Sequence, residues 1–174
     1  DPLAGNARLR QVALASVFAA AVVLTFFQVT DLDLGGHVTV GREIVKNHRI
    51  PTTNFFSHTV PEHPYPVHQW LGQVILFGVS HVAGANGLIL GRMAVVLLGA
   101  VLLYRNMRRE GAPAVVSSAL TLLLLVAARP RFFERPFLVT IVFLPLLHSF
   151  VTNVREGRTR TLWPILPLMT VWAH

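Results

Sequence analysis

Residues 11–28, QVALASVFAAAVVLTFFQ, contain no charged side chain, and none occurs between Arg10 and Asp31. A run of eighteen or more such residues is long enough to cross a hydrocarbon core of ~30 Å as a helix. The stretch reads as a first transmembrane helix, and that reading sets the class of the whole chain. A cleaved signal peptide is the competing reading, since Arg8 and Arg10 form a basic flank, but the apolar run is long and no clear small-x-small cleavage site follows it. Numbering that starts at Asp1 without an initiator Met suggests that a few residues precede it.

Further apolar blocks follow at 88–104, 114–128 and 137–154, and a last one opens at Leu162 and runs to His174, too short to cross fully. The expectation is an all-α, polytopic transmembrane helical bundle: one transmembrane domain over 1–174, the N-terminal portion of a longer protein. Composition agrees. Hydrophobic residues make up 53% and charged residues 13% of the 174, the latter about half the share in a soluble domain. Disorder does not explain the low charge, because disordered chains are poor in apolar residues. Cysteine is absent, so disulfides, thiolate metal sites and Cys nucleophiles are excluded.

Residues 29–68 break the apolar pattern with Asp31, Asp33, Arg42, Glu43, Lys46, Arg49, Glu62, five His and four Pro. They read as a structured extramembrane loop. Val38, Val40, Ile44 and Val45 recur at helical spacing before the stop at Asn47-His48-Arg49, which predicts a short amphipathic helix at the membrane interface. From 51 to 66 the prolines predict irregular chain. Residues 68–83 are apolar but carry Gln69, Gln73 and His81 and end at Gly84-Ala85-Asn86-Gly87, so they either span the membrane or lie in its surface; the charge balance favours a second interfacial helix.

With 68–83 interfacial, one side of the membrane carries Arg8, Arg10, Arg105, Arg108, Arg109, Arg155, Arg158 and Arg160 in three short segments. The other carries Arg42, Lys46, Arg49, Arg129, Arg131 and Arg135 over a longer length. Short cytoplasmic loops are enriched in Lys and Arg, so the 29–68 loop is expected to be extracytoplasmic. The net charge of +7 is then mainly loop cations beside anionic headgroups, each worth ~1 kcal/mol near the surface. No basic stripe with interleaved aromatics occurs, and nucleic acid is not an expected partner.

Asp31 and Asp33 stand where the first span meets water. A carboxylate desolvated there is a better proton acceptor, as a general base requires. The plain alternative is that the pair caps the interfacial helix. A DxD pair is also open to a divalent metal that carries sugar phosphates, and that remains the one cofactor to consider. The histidines show no zinc spacing. His81 and His148 lie in apolar runs, where a lone His is more often a hydrogen-bonded core residue than a haem ligand. Arg92, a costly charge about a turn into a span, needs a partner such as a lipid-linked phosphate, unless it snorkels to the interface. Arg129, Arg131 and Arg135, with Glu134 among them, form either a phosphate clamp or a solvated turn. His37 and His68 frame the loop and are placed to orient a donor.

The stretch DLGGHVTVGREIV (33–45), the Pro-rich, aromatic entry PYPVHQWL (64–71) and Gly91-Arg92-Met93 occur in the order of matching motifs in the GT-C superfamily of polytopic glycosyltransferases. The chain resembles its protein O-mannosyltransferases and lipid A aminoarabinose transferases. It is more similar still to a bacterial branch with a DxDLxxH loop (31–37), an HxWL entry (68–71), an Arg-Pro-x-Leu stretch (135–138) and a Trp-Ala-x-His-like ending (172–174). Gly35-Gly36 replaces the usual aromatic pair, and Gln69 stands where an acid is common. The resemblance implies a multi-pass protein of the bacterial inner membrane. It implies transfer of a sugar from a polyprenyl-phosphate donor to an extracytoplasmic acceptor with inversion. Asp33 would be the base, Asp31 a second carboxylate or metal ligand, and His37, His68, Arg92, Arg129, Arg131 and Arg135 the substrate contacts. The alternative is a non-catalytic accessory subunit packed against other membrane subunits.

Overall fold

A computed structural model describes residues 2–159 and 161–173. Arg160, grouped above with the basic side, and His174, which ends the Trp-Ala-His match, lie outside the described residues. The protein is all-helical: α1 (Pro2–Thr25), α2 (Leu34–Asn47), α3 (Trp70–Arg109), α4 (Ala114–Ala128), α5 (Thr140–Arg155) and α6 (Ile165–Ala173), with single 3-10 turns at Arg129–Arg131 and Pro136–Val139. Four helical stretches are long and apolar enough to cross a membrane: Ala7–Thr25, Trp70–Arg109, Ala114–Arg131 and Pro136–Arg155. It is a membrane protein.

Contacts at the helix ends give the order of crossings. Phe27, just past α1, lies against Arg92 of α3 and against Arg129 and Phe133 beyond α4. At the opposite end of the bundle, Asn106 and Arg109 of α3 bond to Pro145, Ser149 and Asn153 of α5. So α1 and α4 run one way, and α5 and the later part of α3 run the other.

α3 is two helices joined at Gly84, whose φ of 58° and ψ of −151° suit glycine and strain other residues. Residues 70–83 add no crossing. Gly72 packs so closely on Pro136 that a Cβ there would sit 2.5 Å from the proline Cβ, and Arg92 is bonded to Glu134. The chain from 72 to 92 therefore leaves one end of the bundle and returns to it. Nothing lies within 4 Å of a Cβ added at Gly84, so Gly84→Ala should cost about 1–3 kcal/mol through backbone strain alone. Thermal unfolding in detergent checks this, with Gly78→Ala, in open space within the same helix, expected to leave the midpoint unchanged or raise it.

Apolar side chains gain little from facing one another rather than lipid, so membrane helices associate through small and polar residues. α4 buries Ser117, Ser118, Thr121 and Leu125 along one stripe, and α1 buries Val17, Ala21 and Thr25. Thr25 and Thr121 bond to carbonyls four residues back, which leaves smooth surfaces for packing. Val96, Ala100 and Phe132 complete the core. Pro145 inside α5 has no N–H to give to the Ile141 carbonyl, and that carbonyl lies 2.7 Å from where a Gly99 Cβ would be. Asn106 Nδ2 donates to the Pro145 carbonyl itself at 2.7 Å.

α2 stops as its sequence predicts, closing on left-handed His48, and starts at Leu34, ahead of the Gly35-Gly36 pair. It packs on the first arm of α3 at Gly41, where a Cβ would fall 2.2 Å from the Gln73 carbonyl oxygen. The 51–66 stretch is less irregular than its prolines imply. Asn54 N–H donates to the His63 carbonyl, and Tyr65 N–H to the Thr52 carbonyl, each at 2.9 Å.

Candidate active site

The two aspartates that follow α1 have different surroundings. The Asp31 side chain is 2% exposed and that of Asp33 is 60% exposed. Arg135, from the strap joining α4 to α5, donates from Nε to Asp31 Oδ2 at 2.6 Å and from Nη2 to Asp31 Oδ1 at 2.8 Å. The same Nη2 reaches Asp33 Oδ2 at 2.7 Å. Asp31 Oδ1 also accepts the Asp33 N–H at 3.1 Å. The Asp33 carboxylate makes no capping hydrogen bond to α2, although Asp33 stands at its N-cap. The cap explanation of the pair therefore does not describe it.

Burial was expected to raise the proton affinity of these carboxylates. At Asp31 the reverse holds: the Arg135 hydrogen bonds outweigh desolvation and push its pKa below 3.8. A carboxylate held anionic in this way is a poor base and a good anchor. Its pairing adds stability above pH 3.8, and that stability is lost only as the pH falls through the lowered value. Asp33, with its side chain 60% exposed, is left as the carboxylate that an incoming hydroxyl is able to reach. A divalent ion between the two would have to displace the guanidinium, cation against cation, so the donor set does not fit a metal. Among the described residues no cluster of three His, Asp or Glu is placed to hold one.

Asp33 lines an open groove of about 470 Å³ with Gly36, His37, Tyr65, Gln69, Arg135 and Phe137. His37 Nδ1 is 3.2 Å from Gln73 Nε2, which ties the ring to α3. Burial lowers the His37 pKa below 6.5 against the pull of Asp31 and Asp33, so the ring is neutral at pH 7. His68, expected with His37 to orient a donor, is exposed and is not among the groove residues. Its neighbour Gln69, the residue that leads into α3, lines the groove instead.

Arg92 was expected either to meet a phosphate or to snorkel. Its side chain is 0% exposed and is paired with Glu134, itself 1% exposed. Its second terminal nitrogen donates to the Phe27 carbonyl, and the guanidinium lies 3.5 Å from the centre of the Phe27 ring. A charge this enclosed needs a fixed internal counter-ion, and Glu134 provides it. The expected Arg clamp is likewise divided. Arg129 stacks on Phe27 at 4.0 Å, Arg135 holds the aspartates, and Arg131 is exposed.

The strap from Phe132 to Pro136 is thus a structural latch. Phe132 is 1% exposed, Phe133 meets Phe27 edge-on at 6.1 Å, Glu134 fastens α3 and Arg135 fastens the turn after α1. The sequence pointed to the charges but not to their pairing. The usable signal was the coincidence of one intramembrane Arg with one acid beside a later apolar run.

No protein-family model, curated protein or solved structure matches the chain. What the site is able to do rests on its own chemistry: an exposed carboxylate oriented by a guanidinium, beside a neutral imidazole and a phenol, in a groove at the end of a membrane bundle.

Proposed function

We propose that the chain is a membrane-embedded GT-C-type glycosyltransferase, or the N-terminal part of one, of a bacterial cytoplasmic membrane, with the 29–68 loop on the extracytoplasmic side. The observation that carries the reading is the placing of Asp33 at the mouth of the groove, exposed and held by Arg135. The donor is a sugar on a polyprenyl phosphate and the acceptor offers a hydroxyl. A hydroxyl is a weak nucleophile at neutral pH, so a carboxylate must take its proton as the oxygen attacks the anomeric carbon and the bond to the donor phosphate breaks. Asp33 takes that proton. His37 and Tyr65 line the same groove and are placed to orient the sugar hydroxyls.

The compartment is testable without substrate. Cysteine introduced at Thr53, in a chain that has none of its own, should react in intact cells with a membrane-impermeant thiol reagent, and Arg108→Cys should not. Reaction at 108 with protection at 53 would invert the orientation and remove the base from the donor's side.

A further inference from the structure

Arg135 is bonded unequally to its two acids. Asp31 takes two hydrogen bonds, from Nε and Nη2, and is 2% exposed. Asp33 takes no hydrogen bond from it, only an ion-pair contact of its Oδ2 with the same Nη2 at 2.7 Å, and is 60% exposed. Nη1 makes no bond to either acid, and the Arg135 side chain is 34% exposed where it lines the groove. A buried, bidentate partner holds a guanidinium in place, whereas an exposed, single partner on a shared nitrogen is readily exchanged.

We propose that Arg135 is an exchange site for a phosphate group. A tetrahedral phosphate oxyanion entering the groove takes the Nη1–Nη2 edge of the guanidinium, Asp33 gives up its ion-pair contact, and Asp31 keeps the cation fixed throughout. The proposal rests on the glycosyltransferase reading and adds a cause for the timing of its base: Asp33 is tied while the groove is empty and released when the phosphate arrives.

Charge supports an anion at this place. Arg92, Arg129, Arg131 and Arg135 face Glu134, Asp31 and Asp33, which leaves one positive charge in excess. Arg131 has no acidic partner among the described residues, and it lines the hollow next to the groove across Phe137, which borders both. The competition is physical. The phosphate and the Asp33 carboxylate are like charges sharing one cation, so binding of either weakens the other.

The test needs no turnover. The full-length protein, purified in a phospholipid-free detergent, is titrated with inorganic phosphate while the thermal unfolding midpoint is followed. A second titration uses a short-chain phosphatidic acid. Binding to the folded state raises the midpoint with concentration. Asp33→Asn should bind about tenfold more tightly than the natural protein, because the competing charge is gone while the size is kept. Arg135→Gln should lose the response, and Arg135→Lys should keep part of it. A response to inorganic phosphate identifies a site for the anion alone, and one to phosphatidic acid only identifies a lipid-linked phosphate; both support the exchange provided that Asp33→Asn tightens it. Unchanged or weaker binding in Asp33→Asn, or a response that survives Arg135→Gln, overturns the proposal. Those results would leave the base role of Asp33 standing, since that role is read from sugar transfer.

Discussion

In the full-length protein Asp33→Asn should abolish sugar transfer while folding is retained. Asparagine matches aspartate in size and still presents an oxygen to Arg135, but it cannot take a proton from an attacking hydroxyl. A positioned general base contributes typically ~10²-fold to 10⁴-fold in rate, and a loss of at least that order is expected in a transfer assay with a polyprenyl-phosphate sugar. Asp31→Asn acts differently. It removes the anchor that holds Arg135 by two bonds, so it should lower the unfolding midpoint and reduce the rate through misplacement of the guanidinium. An Asp31→Asn protein without activity beside an Asp33→Asn protein at natural rates would mean that the roles of the two carboxylates are reversed. Natural rates in both would favour the accessory-subunit reading.

The largest effect on stability should come from the latch. Arg92 and Glu134 are enclosed almost completely, and removing one partner of such a pair leaves an uncompensated charge at a cost of about 3–5 kcal/mol. Arg92→Ala is expected to unfold far below the natural protein in detergent, or to fail to accumulate. Glu134→Gln, which keeps a hydrogen-bond acceptor for the Arg92 guanidinium, should cost less than Glu134→Ala. The double change Arg92→Met with Glu134→Leu removes both charges and fills the space, and it should recover much of the loss. If the double variant is as unstable as the sum of its parts, the pair is not a closed unit and Arg92 has another partner.

The helices were legible because lipid demands long uncharged runs, and four such stretches are present. α2 was legible from Val38, Val40, Ile44 and Val45, and the break at Gly84 from the Gly-Ala-Asn-Gly that surrounds it. The pairings were not. Arg92 and Glu134 are 42 residues apart and Arg135 and Asp31 are 104 apart, and no local periodicity links positions at that range. Arg92 advertised its cost in the sequence without naming what met it. Gly41 and Gly72 gave no sign of their role either, since a close approach between helices depends on a partner backbone that only the fold brings near. The DxD motif marked the two carboxylates, but the hydrogen bonds that distinguish Asp31 from Asp33 come from Arg135, far along the chain.

The most direct measurement is chemical rescue of Asp33→Ala. Removing the side chain leaves space in an open groove, and a small carboxylate in solution is able to enter it and accept the proton in place of the missing one. The account predicts that Asp33→Ala in the full-length protein is inactive in sugar transfer and regains activity in proportion to added formate, while Asp31→Ala does not respond. Transfer by Asp33→Ala at the natural rate without formate would contradict it.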